Sequence, residues 1–382
     1  MGTPARGEAA PVRPPGDIAS LTSLRGLLAV WVVLYHFWND VVRLFPSAEA
    51  VSPLVRVGDL AVPAFFLLSG FVLAYNYGDR FGRWDTRAAV RFLGLRLARV
   101  YPVHLVSLLA VLAMVVVSGR LGYQLTDSGY TARDFVLNLL LMQTWVPDFT
   151  LNWNYPAWSI SSEWFAYLVF PLAVRVGLRH LTSPLRAAVA GTVAVAGAIA
   201  VMVWWRPWPF YELVLVVPTF FAGATVYWLL LGRIGAGRSA VGRWVPVALV
   251  LAAVAVTFTR TPALVSGALL VCSIGLIVAL AWLGGGCHRI WTVRPVVALG
   301  EVSYSLYMTH TLAQKVVYKL LPSSRFVDSG PVAKVGVLVV YAVLVLAFCL
   351  ATYYLVERPC RTFFKNRTAR PGVGSGGGAD RG

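Results

Sequence analysis

Apolar stretches of about 20 residues recur along almost the whole chain, and each is long enough to cross a lipid bilayer as a helix. Inside a bilayer, backbone hydrogen bonds must be made within the segment itself, which a helix achieves and an isolated strand does not. The composition agrees, because 58% of the 382 residues are hydrophobic and only 13% are charged. We therefore predict an all-α, polytopic transmembrane helix bundle, embedded as a multi-pass protein in the bilayer of the cell membrane.

The hydrophobic pattern predicts about ten membrane spans. An additional apolar piece from Phe135 to Val146 is too short for a crossing, and we interpret it as a re-entrant or interfacial helix. With ten spans, the arginine-rich connections all lie on one side, which the positive-inside rule identifies as the cytoplasm, and both termini are then cytoplasmic. The spans are placed near residues 18–43, 59–78, 88–118, 159–178, 186–205, 210–232, 243–258, 263–283, 297–319 and 332–357.

One membrane-embedded domain is predicted over residues 18–362, because no polar block between the spans is large enough to fold alone. Residues 1–17 and the basic, glycine-rich tail 363–382 are expected to be disordered. The net charge of +17 lies mostly in short connections between spans, where it sets topology, so no nucleic-acid partner is predicted.

The remaining composition bears on source and cofactors. Arg outnumbers Lys 29 to 4, which is typical of a GC-rich genome, and we expect an actinobacterial plasma membrane. The 4 cysteines are scattered among spans and helix ends, so neither a disulfide framework nor a metal site is predicted. The sequence contains no ATP-binding motif, so energy must come from a gradient or from an activated substrate. No bound cofactor is expected.

The first predicted span carries two ionisable side chains on almost the same helix face. Arg25 and His36 are eleven residues apart, which at about 100° per residue aligns them and places them roughly 16 Å apart along the axis. Ionisable groups are costly inside a membrane, so this pair is a functional-site hypothesis. Arg25 is either an anion site or a topogenic arginine at the inner interface. His36 is either a general base in a water-accessible cavity or an interhelical hydrogen-bond donor.

Two further arginines lie at the predicted cytoplasmic start of the third span. Arg96 and Arg99 are three residues apart and therefore share a helix face. Their guanidinium groups suit phosphate oxygens, and charge at the membrane surface is the alternative interpretation.

Two polar stretches are candidates for substrate binding. The connection from Asn152 to Glu163 is polar and aromatic, which suits a sugar or another hydroxylated ligand. The structural alternative is that Ser159 caps the next helix and Glu163 lies in its first turn. The polar run in the ninth predicted span suits either a cavity wall or interhelical hydrogen bonds. The candidate substrate-binding residues are Tyr155, Trp158, Ser159, Tyr304 and His310.

The order and spacing of these residues resemble the acyltransferase-3 family of integral membrane O-acyltransferases, over residues 18 to 362. The combination is specific, although no single piece would be. By itself, the stretch Glu357-Arg358-Pro359 is interpreted as a helix end broken by proline, with a structural role only. The matching pieces are Leu24-Arg25-Gly26 with ten residues between Arg25 and His36, Phe65-Phe66-Leu67-Leu68-Ser69-Gly70-Phe71, Arg96-x-x-Arg99 with Tyr101-Pro102, Trp158-Ser159-Ile160-Ser161-Ser162-Glu163, Gly300-x-x-Ser303-Tyr304-Ser305-Leu306-Tyr307-x-x-His310, and Glu357-Arg358-Pro359.

The resemblance implies acyl transfer from a cytoplasmic acyl-CoA, with acetyl-CoA expected, to a hydroxyl group of a sugar, a cell-envelope glycan or a glycosylated natural product of the macrolide antibiotic type. It implies that His36 is catalytic, that Arg25 acts with it, and that Arg96 and Arg99 form a functional pair. Glu163 is a third catalytic candidate, and Arg25 is expected to help the pair bind the donor phosphates. The alternative function is a proton-coupled transporter or flippase of a polar or lipid-linked substrate.

Overall fold

The chain folds into a bundle of helices. The computed structural model describes residues 18–81, 85–121, 129–237, 242–259, 261–283 and 289–369, the last five of these by their backbone only. Within these ranges the secondary structure is helical without any strand, which confirms the all-α prediction. The α-helices are α1 (Ala19–Leu44), α2 (Ser52–Val55), α3 (Ala61–Tyr77), α4 (Thr86–Arg120), α5 (Ala132–Leu139), α6 (Ala157–Val176), α7 (Pro184–Ala200), α8 (Tyr211–Leu229), α9 (Val245–Thr257), α10 (Pro262–Leu283), α11 (Arg294–Leu320), α12 (Pro331–Thr352) and α13 (Arg358–Ala369).

Among the described residues, 7 helical stretches are long and apolar enough to cross a membrane. They contain α1, α3, α4, α7, α8, α10 and α12, and they coincide with seven of the predicted spans. Of the other three, α9 has only 13 residues, and α6 and α11 carry polar and charged side chains that lower their hydropathy. The chain is therefore multi-pass, while the total of ten spans and the cytoplasmic termini stay predictions.

Local sequence signals set several helix starts. The Asp85 carboxylate accepts hydrogen bonds from two backbone N–H groups at the start of α4, and the Thr131 hydroxyl accepts one at the start of α5. With 8 residues, α5 is too short to cross, as expected for this apolar piece. The cap predicted as an alternative role for Ser159 is wrong, because α6 begins two residues earlier at Ala157. The Ser159 hydroxyl instead donates to the Pro156 carbonyl oxygen at 3.0 Å.

The C-terminal part of the chain stays helical further than the sequence predicts. A π-helical turn over Tyr353–Glu357 joins α12 to α13, so residues 363–369, expected to be disordered, are helical. Glu357 stabilises this junction, because its buried carboxylate accepts a hydrogen bond from Ser305 Oγ at 2.6 Å and pairs with Arg361 at 3.5 Å. The disorder predicted for residues 1–17 and 370–382 concerns residues outside the described ranges.

The closest helix packing involves glycines. The most extensive contacts in the bundle are those of α3 with α8 and of α1 with α11. A Cβ atom at Gly70 would lie 1.8 Å from the Phe220 carbonyl oxygen, and one at Gly300 would lie 1.9 Å from the Thr22 carbonyl oxygen. Only glycine allows such backbone contact, which is a common way for helices to associate in membranes. The contact at Gly300 holds α1, which carries Arg25 and His36, against the polar run of α11.

Replacing Gly300 by alanine is expected to separate α1 from α11 and to lower the free energy of unfolding by about 1–3 kcal/mol, as overpacked cores do. Thermal unfolding of the purified protein in detergent measures the effect as a lower Tm. Gly336→Ala in α12 is the matched control, because no atom lies within 4 Å of a Cβ placed there. Equal Tm values for the two variants would show that the α1–α11 contact adapts without cost.

Candidate functional site

A cavity inside the bundle brings together polar residues from α1, α4 and α6. It has an empty volume of about 1090 Å³, and we call it the inner cavity. Three arginines, Arg25, Arg96 and Arg99, line it together with the carboxylate of Glu163. Most of the remaining wall is apolar. The residues predicted to bind the donor phosphates therefore line one cavity, and their binding role stays a prediction.

The inner cavity adjoins a second pocket at the basic end of the bundle, which we call the vestibule. The two spaces share Arg96 and Arg99 in their walls. The vestibule adds Arg358 and Arg361 from α13, against one lining carboxylate, Glu301. Guanidinium groups match phosphate oxygens with two parallel hydrogen bonds. Four of them around one opening make the vestibule suitable for a ligand that carries several phosphate charges.

Arg96 is oriented by Tyr77 at the end of α3. Its Nη2 donates to the Tyr77 hydroxyl at 3.1 Å, and the guanidinium carbon lies 5.3 Å from the ring centroid. Its Nε is buried and has no hydrogen-bond partner among the described residues. A buried donor without a partner costs free energy. Arg96 therefore keeps hydrogen-bonding capacity that an anion in the cavity can use.

A third pocket contains His36, further along α1, and we call it the outer pocket. His36, Asn39 and Tyr155 line it, with Gln314 and Lys315 from α11. The rings of His36 and Tyr155 pack edge to face with centroids 5.1 Å apart. Burial raises the pKa of Tyr155, so its phenol stays protonated at neutral pH and can donate a hydrogen bond to a ligand. The side chains that line this pocket with His36 are mostly polar or aromatic.

Arg25 and His36 line different spaces, since the inner cavity and the outer pocket have no lining residue in common. Tyr307 lies between these spaces. Its hydroxyl donates to Ser159 Oγ at 2.8 Å, and its ring packs on Phe65 at a centroid distance of 5.9 Å. The buried His310 ring follows, 6.0 Å from the Tyr307 ring and 4.8 Å from the His36 ring. The rings of Tyr307 and His310 therefore form a chain of contacts from the inner cavity to His36.

The backbone around His36 is fixed by a polar network. Gln314 Nε2 donates to the carbonyl oxygen of His36 at 2.6 Å. One turn later, buried Asp40 accepts hydrogen bonds from the Tyr318 hydroxyl at 2.8 Å and from Ser323 Oγ at 2.6 Å. Asp40 therefore binds α1 to the end of α11 and to the segment that follows it.

The predicted site residues are distributed over these spaces. Glu163 lines the inner cavity and not the outer pocket that contains His36, and its catalytic role stays a prediction. Of the predicted substrate-binding residues, Tyr155 lines the outer pocket, Ser159 and Tyr304 line the inner cavity, and Trp158 and His310 line neither.

Our sequence reasoning missed the two arginines of α13, because Glu357-Arg358-Pro359 looked like the end of a helix. The proline is instead the second residue of α13, and proline is tolerated in the first turn of a helix. The helix consequently continues and carries Arg358 and Arg361 into the vestibule. Their three-residue spacing, the same as that of Arg96 and Arg99, is the signal that could have identified them.

Comparisons with known proteins bear on this site. The family model of acyltransferase-3, described as an acyltransferase domain, matches residues 18–354. Acyltransferase MdmB of Streptomyces mycarofaciens is 33% identical over 168 residues, which are 42% of this chain and 40% of that protein. Protein 2 in the picA locus of Rhizobium radiobacter is 32% identical over 164 residues, or 39% of this chain and 78% of that protein. No solved structure matches the chain significantly.

Proposed function

Because this chain belongs to the acyltransferase-3 family, we propose that it moves an acyl group from acyl-CoA to a hydroxyl group of a sugar, a cell-envelope glycan or a glycosylated natural product. Family membership and the apolar helices make it a multi-pass membrane acyltransferase. The observation that carries the finer proposal is that Arg96 and Arg99 line both the vestibule and the inner cavity, while the ring of His310 lies between Tyr307 of the inner cavity and His36.

The donor enters at the basic end of the bundle. Its nucleotide phosphates bind at the vestibule, where Arg96, Arg99, Arg358 and Arg361 are in reach. The pantetheine arm is long, narrow and uncharged, which suits an inner cavity whose walls are largely apolar. Arg25 lies along that cavity and contributes a further guanidinium group. Acetyl-CoA is the donor we expect.

His36 acts as the general base in this proposal. Its unprotonated ring nitrogen takes the proton of the acceptor hydroxyl while the hydroxyl oxygen attacks the thioester carbonyl carbon. The C–S bond then breaks, and the thiolate takes the proton from the imidazolium and leaves as the CoA thiol. A positioned base contributes about 10²- to 10⁴-fold to such a step. In a relay, His36 is instead the nucleophile and carries the acyl group as an acyl-imidazole.

The acceptor binds in the outer pocket. Asn39 and Gln314 offer amide groups there, and Tyr155 offers an aromatic face with a protonated hydroxyl. These groups suit a hydroxylated ring, whose apolar faces stack on aromatic side chains while its hydroxyls exchange hydrogen bonds. For the thioester to meet this acceptor, the contact of Tyr307 with Ser159 has to open.

The proposal is tested with the purified protein in nanodiscs, acetyl-CoA and a panel of sugars, glycan fragments and glycosides. We expect release of CoA thiol that depends on the acceptor, and a product heavier by one acetyl group in mass spectrometry. The same preparation with His36→Ala controls for spontaneous hydrolysis of the thioester.

A transport function predicts a different result. A proton-coupled transporter or flippase would move a labelled polar or lipid-linked substrate across a proteoliposome membrane and release no thiol. Acceptor flux without acceptor-dependent thiol release would therefore overturn the proposed function.

A further inference from the structure

A second histidine, His310, lies next to His36 in the bundle. It is fully buried in α11, and its ring centroid lies 4.8 Å from that of His36. Its Nδ1 is 2.7 Å from the carbonyl oxygen of Tyr307. A carbonyl oxygen can only accept, so Nδ1 carries a hydrogen and donates it.

The other nitrogen of His310 is left as a bare acceptor. A second proton on Nε2 would make the ring a buried cation, which is costly without a counter-charge. Nε2 is buried and has no hydrogen-bond partner among the described residues. Leaving a buried acceptor unsatisfied costs free energy, so such an atom indicates a donor that bonds to it in only some states of the protein.

His36 is the donor that the geometry favours. Two imidazole rings joined by an N–H···N hydrogen bond of about 3 Å have centroids about 5 Å apart, and the observed separation of the two rings is 4.8 Å. Because Nε2 of His310 has no partner in the described part of the structure, the bond requires a change in the side-chain torsions of His36, which also lines the outer pocket. Gln314 holds the carbonyl oxygen of His36, so the change we infer is confined to the side chain.

We propose that His310 is a positioning residue: its bare Nε2 accepts a hydrogen bond from one ring nitrogen of His36. This bond fixes the tautomer of His36, so that the other ring nitrogen is unprotonated and faces the acceptor in the outer pocket. When that nitrogen takes the hydroxyl proton, the resulting imidazolium keeps a hydrogen-bond acceptor at its opposite side. The inference rests on the proposed function of His36 and adds the residue that sets its protonation state.

The test compares His310→Phe with His310→Gln. Phenylalanine fills the same buried volume without an acceptor, and we expect kcat to fall about 10- to 100-fold, the value of one hydrogen bond to a charged group. The KM for acetyl-CoA should stay within about twofold, because His310 does not line the inner cavity. Glutamine places an amide oxygen near the position of Nε2 and should recover part of the lost kcat.

His104→Phe is the matched control. His104 is equally buried, but its nitrogens contact the Asn138 carbonyl oxygen at 2.8 Å and the Asn154 side chain at 3.4 Å. We expect this variant to lose thermal stability and to keep the kcat of its folded fraction.

Three results overturn the inference: an unchanged kcat in His310→Phe, equal losses of kcat in the phenylalanine and glutamine variants, or a loss of activity that disappears once it is normalised to the folded fraction, as we expect for the control. If the wild-type protein releases thiol and His36→Ala does not, these results reject the role of His310 alone. If His36→Ala is as active as the wild type, the proposed base is wrong and His310 has nothing to position.

Discussion

Replacing His36 by alanine is expected to lower kcat for acyl transfer by about 10²- to 10⁴-fold, the contribution of a positioned general base. The protein should still fold, because hydrogen bonds that do not use the imidazole hold this part of α1. Gln314 binds the backbone carbonyl oxygen of His36, and Asp40 binds side chains from the end of α11 and beyond. The measurement is acceptor-dependent release of CoA thiol, normalised to the amount of monodisperse protein.

His180→Ala is the control for this substitution. His180 is exposed in the connection between α6 and α7 and lines neither the inner cavity nor the outer pocket. Its removal should leave kcat within about twofold of wild type. Near-normal turnover of His36→Ala would show that another group removes the hydroxyl proton.

The same variant separates direct transfer from a relay. Incubation of the wild-type protein with labelled acetyl-CoA, without acceptor, accumulates label on the protein only if an acyl-imidazole forms. Label that is retained by the wild type and lost from His36→Ala indicates the relay. Absence of label together with a fully active wild type indicates direct attack of the hydroxyl on the thioester.

The helical architecture was predictable because hydrophobic runs leave the backbone no alternative in a bilayer. The period of the α-helix also placed Arg25 and His36 on one face of α1, since their spacing is close to three turns. The pattern could not predict the hydrogen bond between Tyr307 and Ser159 in the lining of the inner cavity. These two residues are 148 positions apart in sequence, and no local periodicity encodes such a pair.

Proline misled our sequence reasoning at the last helix, whereas the polar run of α11 did not. Pro359 was interpreted as the end of the last helix, although a helix can start with proline in its first turn, and α13 does so. The polar run of α11 was assigned to a cavity wall or to interhelical hydrogen bonds, and the structure contains both. Tyr304 lines the inner cavity, while the buried His310 faces the protein interior.

Removing both arginines of the pair shared by the vestibule and the inner cavity, in Arg96→Ala/Arg99→Ala, is expected to raise the KM for acetyl-CoA by about 100-fold or more. Each hydrogen-bonded charge contributes about 1.5–3 kcal/mol, and about 1.4 kcal/mol corresponds to a tenfold change. Lysine at both positions should give an intermediate value, because it keeps the charge and loses the two-pronged hydrogen bonding. Steady-state kinetics at varied acetyl-CoA measures these values.

A truncated donor makes this experiment specific. An acetyl thioester of pantetheine without the nucleotide has no phosphates for the arginines to bind, so the double variant and the wild type should use it equally well. Arg294→Ala is the matched control, because Arg294 is exposed at the start of α11 and does not line the vestibule. Arg358→Ala/Arg361→Ala should again raise the KM for acetyl-CoA and spare the truncated donor. A double variant that loses activity equally with both donors would show that Arg96 and Arg99 maintain the fold, as the bond from Arg96 to Tyr77 permits, and that the phosphates bind elsewhere.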